Sequence, residues 1–274
     1  MGAQGAASGL YYELIDEAGA DAPVVVLSPG LGGSAAYWTP QLPALTPHFR
    51  VLLYDHRGTG RSVRALPEPY SVEALGDDIA LLLDALGIER AHVVGHAAGG
   101  HAALSLALRR PDRVRRVVDV NGWSRPDPHI ARCFEARLAL LNHVGAKAYV
   151  RAQPLFLYPA AWISQNTALL DREAEHQLAA FPTKAIVRAR IQAVLNFDID
   201  ARLPDITAPV LVAAAADDML VPSTCSERLA ARLPNAVLDR VAWGGHAFTV
   251  TAPERFNRVL VAFLRGEPLP AQDP

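Results

Sequence analysis

A carboxylate and an imidazole late in the chain have the residue types of an acid–base pair. Asp217 and Asp218 follow the apolar run Val210 to Ala215, and His246 follows a later apolar run on a glycine-flanked loop. A carboxylate beside an imidazole orients the ring and stabilises its cationic form, so that the ring can take a proton from a nucleophile. Either aspartate could instead cap a helix that begins at Ser223. The sequence therefore leaves both an acid–base pair and a helix cap open.

A second pattern, residues 91–103, resembles the strand-turn-helix frame that normally presents a nucleophile. An apolar run ends in Gly95, and small residues from Gly99 onward are typical of a closely packed helix. In the G-x-S-x-G form of this turn, the glycines permit a sharp reversal with a serine at its apex. Here the apex is Ala97, which has no lone pair, so acyl-enzyme chemistry is unavailable at this position.

Two backbone amides complete the predicted site as an oxyanion hole. In the frame above, one donor is the N–H of the residue after the apex, here Ala98, and the other comes from an earlier strand-end loop, here Leu31. That loop, residues 28–34, is rich in glycine but lacks the Lys-Ser/Thr ending of a phosphate-binding P-loop. Because both donors are backbone groups, the absence of a serine need not disturb them.

Composition limits the classes of partner. The chain has 274 residues, 51% of them hydrophobic, and a formal net charge of −2. This balance predicts a small-molecule substrate, no nucleic acid and no membrane as partners, and it allows a homodimer. Cys133 and Cys225 have no metal-type spacing, so we expect no metal, no cofactor and a cytoplasmic location. Met1 to Ser8 is interpreted as a flexible tail without signal-peptide features.

Alternating apolar runs and helical patterns predict an α/β fold with a mainly parallel sheet flanked by helices. Residues 1–122 and 201–274 form the two parts of this core, and residues 123–200, where the alternation stops, form an inserted helical cap. His56, His92, His96 and His101 lie in or beside core turns and are interpreted as structural. Predicted strands span residues 10–15 (an edge strand), 24–28, 51–54, 91–95, 114–120, 210–215 and 236–241, and predicted helices span 71–86, 130–141, 184–197, 223–233 and 253–264.

Together these motifs resemble the α/β-hydrolase fold, in which nucleophile, acid and histidine follow in that chain order. Several blocks resemble the RutD family, hydrolases of the Rut route of pyrimidine (uracil) degradation. The match spans about residues 10 to 260, and its most specific block is Ala152 to Pro159 in the cap. Further matching blocks are Tyr37-Trp38, residues 94–97, residues 120–123 and residues 132–134.

The resemblance implies a reaction and a set of contacts. RutD proteins of this kind carry alanine at the apex and are associated with hydrolysis of carbamate or 3-aminoacrylate, both of which also decay without an enzyme. Water activated by His246 and Asp218 would then replace the serine. We assign four polar residues as substrate-contact candidates, with helix capping or packing as the alternative for each: Asn121, Arg132, Gln153 and Tyr158.

Two other functions fit the same residues. Ala97 could be an engineered replacement in a serine esterase or C–C hydrolase, or the chain could be a non-catalytic binding protein that kept the fold. Fold alone does not decide between these functions.

Overall fold

The computed structural model describes residues 2–271, and an eight-stranded sheet lies at its centre. The strand order is β1-β2-β4-β3-β5-β6-β7-β8; β2 pairs antiparallel with both β1 and β4, and all the other pairs are parallel. The predicted α/β class with a mainly parallel sheet is confirmed. The strands are β1 Ala3–Ala7, β2 Leu10–Ile15, β3 Val24–Ser28, β4 Arg50–Tyr54, β5 Ala91–His96, β6 Val114–Val120, β7 Val210–Ala215 and β8 Ala236–Val241.

The central strands are mostly apolar because both faces of the sheet are covered. In β3, Val24 and Val26 pack into one hydrophobic cluster, whereas Val25 and Leu27 pack into a second cluster on the opposite face. Every residue of β3, β5 and β7 is buried. The covering of both faces leaves the strand ends as the place where polar side chains can gather.

Helices cover the sheet and fill the segment between β6 and β7. Ser71 accepts a hydrogen bond from Ala74 N and so caps α2, as its position before the apolar helical pattern predicts. Within residues 2–271 no helix is long and apolar enough to span a membrane. The helices are α1 Leu42–Leu45, α2 Val72–Ala85, α3 Ala98–Arg109, α4 Pro128–Ala139, α5 Ala146–Leu157, α6 Ala160–Gln165, α7 Thr167–Ala179, α8 Lys184–Leu195, α9 Ser223–Arg232, α10 Phe248–Thr251 and α11 Pro253–Arg265.

The start of the chain corrects the sequence interpretation. Residues Ala3–Ala7 form β1, paired antiparallel with β2, so the tail prediction is wrong there, and Met1 lies outside the described residues. β2 pairs on its other side with β4 and is therefore not the edge strand. Small, exposed residues carry no strand signal of their own; β1 forms because β2 offers an unpaired edge.

Candidate active site

The turn between β5 and α3 has the strained backbone of a nucleophile-bearing elbow. Ala97 adopts φ 47° and ψ −109°, and its N–H donates to the carbonyl of Val120 at 2.8 Å. A Cβ on Gly95 would collide with the backbone of Gly99, and one on Gly99 with the carbonyl of Ser28. A non-glycine residue in such a conformation costs about 1–3 kcal/mol and is typical of functional sites. The fold therefore keeps the elbow although its apex carries only a methyl group.

His246 and Asp218, 28 residues apart in sequence, meet in the folded chain. Nδ1 of His246 lies 2.7 Å from Oδ2 of Asp218, and their side chains are 2% and 0% exposed. The imidazole also lies beside the elbow, because its ring centroid is 4.6 Å from that of His96, the residue before Ala97. Because an ionised carboxylate only accepts, Nδ1 carries the proton and Nε2 is left with a lone pair.

Each member of this pair is held by backbone contacts. Oδ1 of Asp218 accepts from the amides of Leu220 and Val221 at 2.8 and 2.9 Å. The helix-cap alternative for the aspartates is wrong, since Pro222 occupies the N-cap of α9 and makes no side-chain cap bond. Asp217 instead accepts from the amides of Gly244 and Gly245 in the histidine loop.

Asn121 also supports the histidine loop. Its Nδ2 donates to the carbonyl of His246 at 2.7 Å, and its Oδ1 accepts from the amide of Ala215 at 3.1 Å. The side chain is buried, and the residue adopts a positive φ of 51° at the end of β6. Of the two roles left open for Asn121, these contacts favour the structural one: it ties β7 to the loop that carries His246.

The two predicted oxyanion donors lie in different elements. Ala98 is the first residue of α3, so its N–H has no acceptor within the helix. Leu31 lies in the loop after β3, and its carbonyl accepts from Nη2 of Arg190 at 2.9 Å. Arg190 is buried on α8 and also donates to the carbonyl of Arg57. A cap helix therefore holds the Leu31 loop in place.

The neighbouring histidines are kept neutral by burial. Burial, and secondarily electrostatic repulsion from the His246 ring, lowers the pKa of His101 to about 3 and holds the pKa of His96 well below its usual range. The ring of His96 stacks on Tyr37, with centroids 4.5 Å apart, and its Nε2 lies 2.8 Å from the carbonyl of His246. His101 stacks on Phe197. These contacts are structural, in agreement with the sequence interpretation of both residues.

The other three substrate-contact candidates differ in how deeply they are buried. Gln153 and Tyr158 are half-buried, at α5 and just after it, and the Tyr158 ring stacks on Trp162 with centroids 4.5 Å apart. Arg132 is exposed, and its Nη1 lies 3.3 Å from the carbonyl of Pro128 on the same helix. The structure thus does not bring Arg132 to the interior of the cap. The basic residue that α4 does bury is Arg137.

Asp119 is a buried carboxyl that sequence reasoning missed. It lies on β6, and a Cβ on either Gly100 or Gly122 would collide with its carboxylate, so it fits closely under the elbow helix. Burial raises its pKa to about 7, and the backbone amide of Gly122 counters this only in part. A charged residue inside a predicted strand of valines was the signal that could have identified it.

We expect Asp119→Asn to change how stability depends on pH. An aspartate in an unfolded chain titrates near pH 4, so between about pH 4 and pH 7 the native state keeps a proton that the unfolded state has lost. The free energy of unfolding of the wild type therefore carries a contribution that falls as pH rises through this window. Relative to wild type, the variant should gain about 2 to 3 kcal/mol between pH 5 and pH 8.

Urea unfolding at a series of pH values measures this effect. Asp112→Asn, at an exposed position in the turn before β6, is the matched control. Stability curves for Asp119→Asn and wild type that run parallel from pH 5 to pH 8 would contradict the assignment.

Comparison with known proteins decides the family. The family model of the alpha/beta hydrolase fold matches residues 23–253. A relative from a Caulobacter species, named "Putative carbamate hydrolase RutD", is 62% identical over 263 residues, which cover 96% of this chain and 98% of the relative. The chain belongs to the RutD family of α/β-hydrolases. A relative of the same name from Caulobacter vibrioides is 61% identical over 262 residues, which cover 96% of this chain and 97% of that relative.

A solved structure supports the same superfamily. The enol-lactonase from Burkholderia xenovorans superposes with a TM-score of 0.86 at 28% identity, over 96% of this chain and 100% of that one. RutD membership makes this chain a hydrolase of the α/β-hydrolase superfamily, as the sequence motifs predicted. Within residues 2–271 no group of three or more His, Cys, Asp or Glu side chains is arranged to hold a metal ion.

Proposed function

We propose that this RutD-family chain hydrolyses carbamate or 3-aminoacrylate with a water molecule that His246 and Asp218 activate, without a covalent intermediate. The observation that carries the proposal is the 2.7 Å contact between His246 Nδ1 and Asp218 Oδ2 beside an elbow whose apex is Ala97. The relatives named as carbamate hydrolases support the substrate class.

The imidazole acts as the general base. Asp218 holds the proton on Nδ1, so Nε2 can accept a proton from water bound where a serine hydroxyl would otherwise lie. The methyl group of Ala97 leaves room for that water. The N–H groups of Leu31 and Ala98 would stabilise the developing oxyanion, and one such donor contributes about 3 to 4 kcal/mol in serine hydrolases.

Hydrolysis of one carbamate consumes one water molecule. As the water oxygen bonds to the carbon, its proton moves to His246 Nε2; the imidazolium then gives that proton to the nitrogen as the C–N bond breaks. Carbamate and water yield ammonia and bicarbonate.

For 3-aminoacrylate, a proton must first reach the carbon beside the carboxylate, which converts the enamine to an iminium. Water then adds to the nitrogen-bearing carbon while His246 takes its proton. His246 then returns its proton to nitrogen, the C–N bond breaks to release ammonia, and the hydroxyl group loses its proton to solvent as it becomes the aldehyde carbonyl. That released proton balances the one taken up from solvent in the first step. The sum is again one substrate and one water, with no oxidant or cofactor.

We also propose a reducing compartment, the cytoplasm. Cys133 and Cys225 are both free thiols, and thiols persist unpaired where glutathione and thioredoxin keep them reduced.

Ammonia release from both substrates, measured against a buffer control, tests the proposed function. Asp218→Asn should lose most of the enhancement, about 100-fold or more, because an amide at this position favours the wrong imidazole tautomer and cannot stabilise the imidazolium. The control is Asp171→Asn, an exposed aspartate that pairs with Arg151 on the cap surface. Equal rates for Asp218→Asn and wild type would refute the role of the carboxylate.

A further inference from the structure

Arg137 is a buried cation that has no carboxylate partner in the described part of the chain. It lies on α4 and is only 5% exposed. Across residues 2–271, no aspartate or glutamate oxygen lies within 4.0 Å of its guanidinium, whereas Arg57, Arg61 and Arg255 each pair with an acidic side chain. A buried charge is costly unless an opposite charge accompanies it.

The surroundings of the guanidinium satisfy it only in part. Its carbon lies 4.9 Å from the ring centroid of Phe134 and 5.6 Å from those of Tyr149 and Phe156. Nη2 donates to Oε1 of Gln153 at 2.5 Å and to the hydroxyl of Tyr149 at 3.3 Å. Nε is buried and has no hydrogen-bond partner among residues 2–271. Aromatic faces attract a cation but cannot accept the N–H bonds of a guanidinium as an oxyanion does.

Arg137 lies in the part of the cap that contacts both catalytic loops, the one after Asp218 and the one that carries His246. Its own helix, α4, contacts the loop of the acid: Nε2 of His129 lies 2.7 Å from the carbonyl of Met219, the residue after Asp218. The helix it bonds to, α5, ends at Leu157, whose carbonyl accepts from the amide of Ala247, the residue after His246. The guanidinium therefore lies between the two cap helices that contact the two catalytic loops.

We infer that Arg137 binds the carboxylate of the substrate and that the site selects small carboxylate anions over their neutral analogues. This inference rests on the proposed function for 3-aminoacrylate, since it assigns the carboxylate of that substrate to the cap and its nitrogen-bearing carbon to His246. In 3-aminoacrylate the carboxylate and the nitrogen-bearing carbon are separate groups, so one molecule can reach both; in carbamate the reacting carbon is the carboxylate carbon itself, so the inference favours 3-aminoacrylate. A bound carboxylate would accept from the unpaired Nε and supply the missing counter-charge.

Binding of acrylate tests the inference without any chemistry. Acrylate has the carbon skeleton and carboxylate of 3-aminoacrylate but no amino group, and acrylamide is its neutral analogue. We expect calorimetric titration to show that acrylate binds wild type and acrylamide does not. Arg137→Gln should weaken acrylate binding at least tenfold, and Arg137→Lys, which keeps the charge but not the planar fork, should fall between the two.

Arg151→Gln is the matched control, because Arg151 is an exposed arginine on α5 and its surface pair with Asp171 contributes little. Circular dichroism and thermal unfolding of each variant show whether the cap still folds, and Arg137→Lys provides the test if Arg137→Gln does not.

The outcomes separate this inference from the proposed function. Equal acrylate affinity in wild type and folded Arg137 variants, or no acrylate binding by wild type, would overturn the carboxylate site even if hydrolysis depends on His246. Conversely, acrylate binding that needs Arg137, together with ammonia release no faster than in buffer, would refute the proposed function and still support the anion site.

Discussion

Ala97→Ser is expected to turn the chain into an esterase. Ala97 already has φ 47° and ψ −109°, so serine adds one hydroxyl to an elbow whose backbone is formed. That hydroxyl would lie beside His246, which Asp218 orients at 2.7 Å. A serine next to an oriented imidazole becomes a nucleophile and forms an acyl-enzyme. We expect p-nitrophenyl acetate cleavage to rise at least tenfold over wild type, with a burst of product.

Stopped-flow absorbance measures the burst, and intact-protein mass spectrometry should show one added acetyl group. Ala97→Gly is the matched control, because it keeps the elbow and adds no hydroxyl. Ester cleavage by Ala97→Ser that stays at the level of this control would contradict the arrangement proposed for the site. Strong ester cleavage by Ala97→Ser, together with a wild type that is inert toward both nitrogen substrates, would favour the alternative of a serine hydrolase that has lost its nucleophile.

The sequence predicts the core of this fold well because the signals are local. Buried parallel strands must be apolar on both faces, so runs such as Val210–Ala215 are recognisable without a partner. The elbow is equally local, since Gly95 and Gly99 are required by close backbone contacts. The order of elbow, acid and histidine along the chain then predicts which side chains meet.

Long-range contacts explain what the sequence does not reveal. Nothing in the amide of Asn121 indicates that both of its ends bind the backbone of other elements, at Ala215 in β7 and at His246. Residue type alone does not distinguish Asp217 from Asp218, and only the family resemblance selected Asp218; in the structure one binds the amides of the histidine loop and the other binds the ring. These roles depend on where two strand-end loops lie relative to each other.

Arg137 was predictable in retrospect. Ile130, Cys133, Phe134 and Leu141 lie three, four and seven residues apart and are all buried, and Arg137 continues the same helical stripe. A charged residue on such a stripe is buried together with the apolar residues beside it. Attention to polar type alone selected Arg132, which the helix turns toward solvent.

His246→Ala is expected to have the largest effect on the native reaction. The ring is 2% exposed, hydrogen-bonded to Asp218 and adjacent to the elbow, so the variant removes the general base and leaves the backbone amides in place. A general base contributes a factor of about 100 to 10,000. Because both substrates also decay in water, the quantity to compare is the rate of ammonia release with protein divided by the rate in buffer. His143→Ala, an exposed histidine of the cap, controls for the loss of an imidazole elsewhere.

The most direct test of the account is therefore a side-by-side assay of ammonia release from carbamate and from freshly generated 3-aminoacrylate, with wild type, His246→Ala, His143→Ala and buffer. The account predicts that wild type and His143→Ala accelerate at least one of these reactions equally, and that His246→Ala loses at least about 100-fold of that enhancement. If His246→Ala accelerates that reaction as fast as wild type does, water activation by this histidine is refuted.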